Sequence, residues 1–143
     1  QGKEQATEKE KMTLKGMRFL VADDNDLNAE ILEELLKMEG ADCDRAVNGK
    51  EAVEMFASAK EGRYNIILMD IKMPVMNGYD ATKEIRRLKK KEAAKIPIFA
   101  MTANAFAEDI RTSMEVGMDA HIAKPVDLDL LEETIRNYMQ AKA

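Results

Sequence analysis

Five short strand-like runs, each followed by a segment of helical periodicity, constrain the fold of this 143-residue chain more tightly than anything else in it. The first, residues 17–22 (MRFLVA), stops at the carboxylates Asp23 and Asp24, as a parallel strand buried on both faces stops where it leaves the core. Beyond Asn28, the apolar residues Ile31, Leu32, Leu35, Leu36 and Met38 recur at helical spacing up to Gly40, a plausible helix stop. The alternation repeats, with strands predicted at 42–46, 64–69, 96–101 and 120–123 and helices at about 50–59, 79–91, 106–116 and 128–140. Phe106, Ile110 and Met114 share one helical face, as do Leu131, Ile135 and Met139, and both faces are predicted to meet the core. Strict alternation with short connections implies right-handed crossovers and a parallel sheet covered by helices on both faces. Ligands of such sheets bind beyond the carboxyl ends of the strands, where the strand order reverses. The polar residues at those ends therefore matter most.

Composition narrows the class. With 45% hydrophobic and 34% charged residues the chain has the makings of a core, and its length suits one compact domain. Residues 1–15 are polar and heavily charged and read as a flexible linker or an appended remnant. No run approaches the roughly 18 apolar residues of a membrane span, so no membrane contact is expected of this domain. A net charge of -5 argues against a nucleic-acid binder and makes protein the expected partner. The lone Cys43 excludes an internal disulfide and a CxxC site; it reads as a small core residue suited to a reducing cytosol. The run Arg86, Arg87, Lys89, Lys90, Lys91 reads as the solvated end of the third helix, and most of the 11 methionines as core filling.

Four predicted strand ends carry chemistry: Asp23 and Asp24 after the first, Asp70 after the third, Thr102 after the fourth and Lys124 after the fifth. Carboxylates packed together repel one another, an arrangement tolerable mainly beside a divalent cation, and hard oxygen ligands favour Mg²⁺. Phosphoryl transfer needs a nucleophile in line and neutralised equatorial oxygens. Asp70 suits the first role, with Lys124 as a cationic donor and the Thr102 hydroxyl as a second donor to the transferred group. Asp24 or Asp26 could also cap the first helix, and Asp26 is otherwise a surface residue. Asp24-Asn25-Asp26 offers a DxD as well, which keeps an aspartyl-phosphate phosphohydrolase as the competing reading. Gly49-Lys50 lacks the spacing and hydroxyl of a P-loop, and Ala29 stands where an EF-hand loop begun at Asp24 needs Gly.

The segments LVADDN, IILMDIKMPVMNGYD, IFAMTANA and HIAKP closely resemble the receiver domains of two-component response regulators and hybrid histidine kinases. The likeness spans nearly all of 17–140 and assigns 16–141 to a receiver domain. It implies an α/β (βα)₅ flavodoxin-like fold, a doubly wound five-stranded parallel sheet. It further implies phosphorylation of Asp70 by a histidine kinase or histidine phosphotransfer protein, with Mg²⁺ held by Asp24, Asp70 and the Lys72 backbone carbonyl and approached by Asp23 through a metal-bound water. Thr102 and Lys124 are then expected to shift, making the surface of helix four, strand five and helix five a readout for a downstream signalling protein; homodimerisation through the helix-four side is a further expectation. Such a domain accepts and loses a phosphoryl group without being a turnover enzyme, and is cytoplasmic either alone or as part of a membrane-bound sensor kinase. The Lys124–Pro125 bond is expected to be cis.

MPVMNGYDAT, PIFAMTANAF and GMDAHIAKP look most like receivers attached to hybrid sensor kinases. One position departs from the pattern: His121 stands where the family often has the Tyr or Phe that partners the switch Thr. An imidazole titrates near pH 6.5, so modestly pH-sensitive switching is expected. Lys72 and Asn104, two residues beyond Asp70 and Thr102, are either positions that tune dephosphorylation or plainly exposed.

Overall fold

The computed structural model describes residues 14–103 and 107–142, the side chains of 107–109 excepted. Strands and helices alternate as β1 (Arg18–Ala22), α1 (Asp26–Met38), β2 (Asp42–Ala46), α2 (Gly49–Ser58), β3 (Ile66–Asp70), α3 (Gly78–Arg87), β4 (Ile98–Thr102), α4 (Ala107–Val116), β5 (Ala120–Ala123) and α5 (Leu128–Lys142). All strand pairs are parallel, in the order β2-β1-β3-β4-β5. This is the flavodoxin-like (βα)₅ fold.

Period-2 alternation along the strands divides the core into two layers. Phe19, Val21, Ile66, Leu68, Phe99 and Met101 pack with Leu32 and Leu36 of α1 and Leu131 and Ile135 of α5. Leu20, Ala22, Ile67, Met69, Ile98 and Ala100 pack on the opposite side with Ala52 and Phe56 of α2 and Ala81 and Ile85 of α3. Leu14, within the stretch read as linker, is fully buried against the first layer. Chain order reverses between β1, whose other neighbour is β2, and β3, whose other neighbour is β4. The crevice at their carboxyl ends is where such sheets bind ligands.

Three helices begin at an asparagine. The side chains of Asn25, Asn48 and Asn77 accept the backbone N–H of Asn28, Glu51 and Asp80 at 2.9, 2.8 and 2.9 Å. The cap of α1 is thus Asn25 rather than Asp24 or Asp26. Strands β3 and β4 end one residue later than predicted, at Asp70 and Thr102, because both residues still belong to the ladder.

The solvated-end reading of the basic run holds for Arg87, Lys89 and Lys91, which are exposed, and is corrected for Arg86 and Lys90. Helix α3 stops at Arg87, since Leu88 is already extended. Arg86 turns inward, donating to the carbonyls of Gly117, Ala93 and Ile96 and pairing with Asp119 at 2.9 Å. Lys90 reaches the Phe56 and Ala59 carbonyls at 2.6 Å each and lies 4.7 Å over the Phe56 ring. Both cations donate to carbonyls at helix ends and in loops.

The α4 face is also corrected. Ile110 and Met114 are exposed, and among its described side chains the helix buries Ser113; Phe106 lies outside the described residues. The helix packs beside α3, and Val116 and Met118 at its end supply the apolar contact. On α1 and α5, Ile31, Met38 and Met139 are likewise exposed.

Candidate functional site

Strand β1 delivers Asp23 as the first residue past the ladder. Its backbone N–H is held by the Ala46 carbonyl at 3.1 Å, and its own carbonyl accepts from Arg45 at 2.8 and 3.1 Å. One carboxylate oxygen accepts the Asn25 N–H at 2.9 Å, and the residue is only 2% exposed. Asp70 closes β3, buried beside it, and exposed Asp24 completes a group whose carboxylate oxygens lie within 4.8 Å of one another.

Lys124, just past β5, enters from the other side of the crevice. Its Nζ donates to Asp70 Oδ2 at 3.0 Å and stands 3.4 Å from Asp23 Oδ2. Its backbone N–H donates to the Thr102 carbonyl at 2.9 Å, and the Lys124–Pro125 bond is cis. Thr102, Lys72 and Asn28 line the cleft of about 510 Å³ that contains Asp24, Asp70 and Lys124.

Burial raises the Asp70 pKa above the ordinary carboxylate range; the Lys124 hydrogen bond opposes this, and the charges of Asp23 and Asp24 add to it. For Lys124, burial works against the charged form, but its hydrogen bond to Asp70 and the carboxylate charges prevail, and its pKa is raised. One ammonium thus faces three carboxylates. That excess of hard oxygen donors in an open cleft fits a divalent cation such as Mg²⁺.

The sequence-based candidates Asp23, Asp24, Asp70, Lys72, Thr102 and Lys124 therefore converge. His121 is half-buried on β5, in register with Ala100, and Asn104 lies outside the described residues. Asp26 does not join the cluster: its side chain is 88% exposed and pairs with Arg45 at 2.8 Å. The DxD needed by a phosphohydrolase is thus not assembled.

Sequence reasoning missed two supports. Arg45 fixes the Asp23 carbonyl from β2, a pairing that only the strand register reveals. Gly78 lets α3 start against the backbone of Asp70, since a Cβ there would lie 2.2 Å from the Asp70 carbonyl oxygen. The Asn-Gly pair that opens α3 was a visible signal of such a turn.

A flavodoxin-like sheet with an acid cluster, a lysine and a threonine at its carboxyl edge defines a signalling domain of the two-component class. The family model described as response regulator receiver domain matches residues 19–136, and the chain belongs to that family. Hybrid signal transduction histidine kinase I of Dictyostelium discoideum is 38% identical over 120 residues, covering 82% of this chain but 7% of that protein. The chain spans 7–13% of the curated relatives it matches. The receiver domain of the sensor histidine kinase PA1611 from Pseudomonas aeruginosa PAO1, solved with a magnesium ion in its active-site cleft, superposes with a TM-score of 0.75 at 32% identity, over 87% of this chain and 98% of that one. The receiver domain of Ssk1 from Saccharomyces cerevisiae, solved with the histidine phosphotransfer protein Ypd1, gives 0.77 at 33% identity, over 92% and 94%. These likenesses make the chain a receiver domain of two-component or phosphorelay signalling, most like those of hybrid histidine kinases. Among the described residues no helix is long and apolar enough to cross a membrane.

Proposed function

We propose that Asp70 is the phosphoacceptor, taking a phosphoryl group from a phosphohistidine on a histidine kinase or histidine phosphotransfer protein. The observation that carries this reading is the Lys124 ammonium, 3.0 Å from the carboxylate of a strand-end aspartate in an open acidic cleft. In the step, an Asp70 carboxylate oxygen attacks phosphorus as the phosphorus–nitrogen bond of the donor breaks, leaving the electron pair on the imidazole. Lys124 exchanges its contact with Asp70 Oδ2 for a phosphoryl oxygen, and the Thr102 hydroxyl donates to another. Asp24, Asp70 and the Lys72 carbonyl would hold Mg²⁺, with Asp23 acting through a bound water. When bound, the ion neutralises the acid cluster and the incoming phosphoryl oxygens.

Because the Thr102 carbonyl accepts the Lys124 N–H, movement of either residue is passed to the ends of β4 and β5. The expected readout surface is α4, β5 and α5, with His121 as the switch residue on β5. Ile110 and Met114 expose apolar area on α4 for a downstream signalling protein or for a second copy of the chain. The domain acts on the cytoplasmic side, where histidine kinases meet ATP, and does not turn over a substrate. Lys72 and Asn104 set how readily water removes the phosphoryl group.

Intact mass of the chain after incubation with acetyl phosphate and Mg²⁺ tests the reading. One phosphoryl adduct is expected, absent in Asp70→Asn and in EDTA. A folded wild-type chain that gains no mass would overturn it.

A further inference from the structure

The 71–77 loop is pinned at both ends by helices that open with Asn-Gly. At one end the N–H of Gly78, the first residue of α3, donates to the Ile71 carbonyl at 2.9 Å. At the other, the N–H of Gly49, the first residue of α2, donates to the Met76 carbonyl at 3.0 Å. A Cβ on Gly49 would lie 2.3 Å from that carbonyl oxygen, 2.9 Å from its carbon and 3.0 Å from the Asn77 oxygen. All three are backbone atoms, so no side chain can swing aside to make room. Glycine is required here for close approach rather than for its torsions.

Between the pins the loop has little slack. Pro74 has a fixed φ, and the Met76 N–H closes a γ-turn onto the Pro74 carbonyl at 2.7 Å with Val75 at φ +68°. A displaced Met76 must be absorbed by 72–75, the part of the loop that carries the Lys72 carbonyl.

We infer that Gly49 is a positioning residue for the cation site: through the Met76 carbonyl, it fixes the loop that presents the Lys72 carbonyl. The inference rests on the cation set proposed above. It extends that set to α2, a helix that supplies none of the ligands.

The experiment is calorimetric titration of the chain with Mg²⁺, comparing wild type with Gly49→Ala and with Ala52→Gly. The second variant lowers stability within the same helix and adds no atom against the Met76 carbonyl. Gly49→Ala is expected to bind Mg²⁺ about tenfold more weakly, the scale on which supports behind metal ligands act, whereas Ala52→Gly loses Tm and keeps wild-type affinity. Wild-type affinity in folded Gly49→Ala overturns the inference, as does an equal loss in Ala52→Gly. If Gly49→Ala does not fold, the wild-type amide spectrum decides. Added Mg²⁺ should shift the Gly49 N–H resonance with those of Asp70 and Lys72, and leave Gly62 in place. Shifts at Asp70 and Lys72 without Gly49 overturn this inference alone. No Mg²⁺ response anywhere in wild type overturns the cation set itself, and the inference with it.

Discussion

The Lys124 ammonium lies 3.0 Å from Asp70 Oδ2 and 3.4 Å from Asp23 Oδ2, bridging the ends of the two strands between which the chain order reverses. Burial nevertheless outweighs that contact and raises the Asp70 pKa. A carboxyl raised by folding contributes stability that is fully present below its unfolded value, about pH 3.9, and is lost as pH rises through the folded one. At pH 7 the ionised side chain is a cost. Asp70→Asn is therefore expected to melt above wild type in EDTA, while Mg²⁺ raises the Tm of wild type and scarcely moves the variant. Scanning calorimetry in both media checks this; a lower Tm for the variant in EDTA would mean that the Lys124 contact outweighs burial.

Arg86 serves three carbonyls and Asp119, whose Oδ2 also accepts the Ile98 N–H at 2.9 Å. Its removal leaves part-buried acceptors without a donor, so Arg86→Ala should cost about 2–4 kcal/mol. An ammonium cannot reproduce the planar fork, and Arg86→Lys should recover less than half of that. Urea unfolding of the three proteins gives the answer. Full rescue by Lys would show that charge alone matters there.

That arginine also marks where reading the sequence stops. Strands β1, β3, β4 and β5 were legible as short apolar blocks ended by a polar residue, β2 (DCDRA) only by its place in the alternation, and Asp23, Asp24, Asp70, Thr102 and Lys124 were legible because they occupy those ends. Arg86 sits in a basic run that looks solvated along the chain, and its four partners lie 7 to 33 residues away. The α4 face failed for a related reason. Periodicity identifies an apolar stripe at Ile110 and Met114 but not which side of the helix is buried, and here it is the side of Ser113. Gly49 and Gly78 were visible as letters, yet their role depends on backbone contacts made only after the helices dock.

Cys43 is half-buried on β2, and burial, helped by the charge of Glu33, pushes its thiol up to about 11. At pH 8 it is almost wholly protonated, and the thiolate is the reactive form. Iodoacetamide should therefore label the native chain far more slowly than the chain in urea, with the native rate still climbing at pH 10. Equal rates in the two states would contradict the buried-thiol environment.

Val75 combines φ +68° with 77% exposure of the residue. A β-branched residue in the left-handed region carries strain of about 1–3 kcal/mol, and an exposed side chain returns little packing for it. Glycine adopts that φ freely but loses about 0.5–1 kcal/mol of chain entropy on folding. Val75→Gly should thus be more stable than wild type by about 1 kcal/mol. Val75→Ala, which removes the branch but keeps a Cβ, should gain less. Urea midpoints at equal m separate the cases: if glycine gives no more than alanine, the γ-turn stores no strain and the loop's geometry is set by its two pinned ends alone.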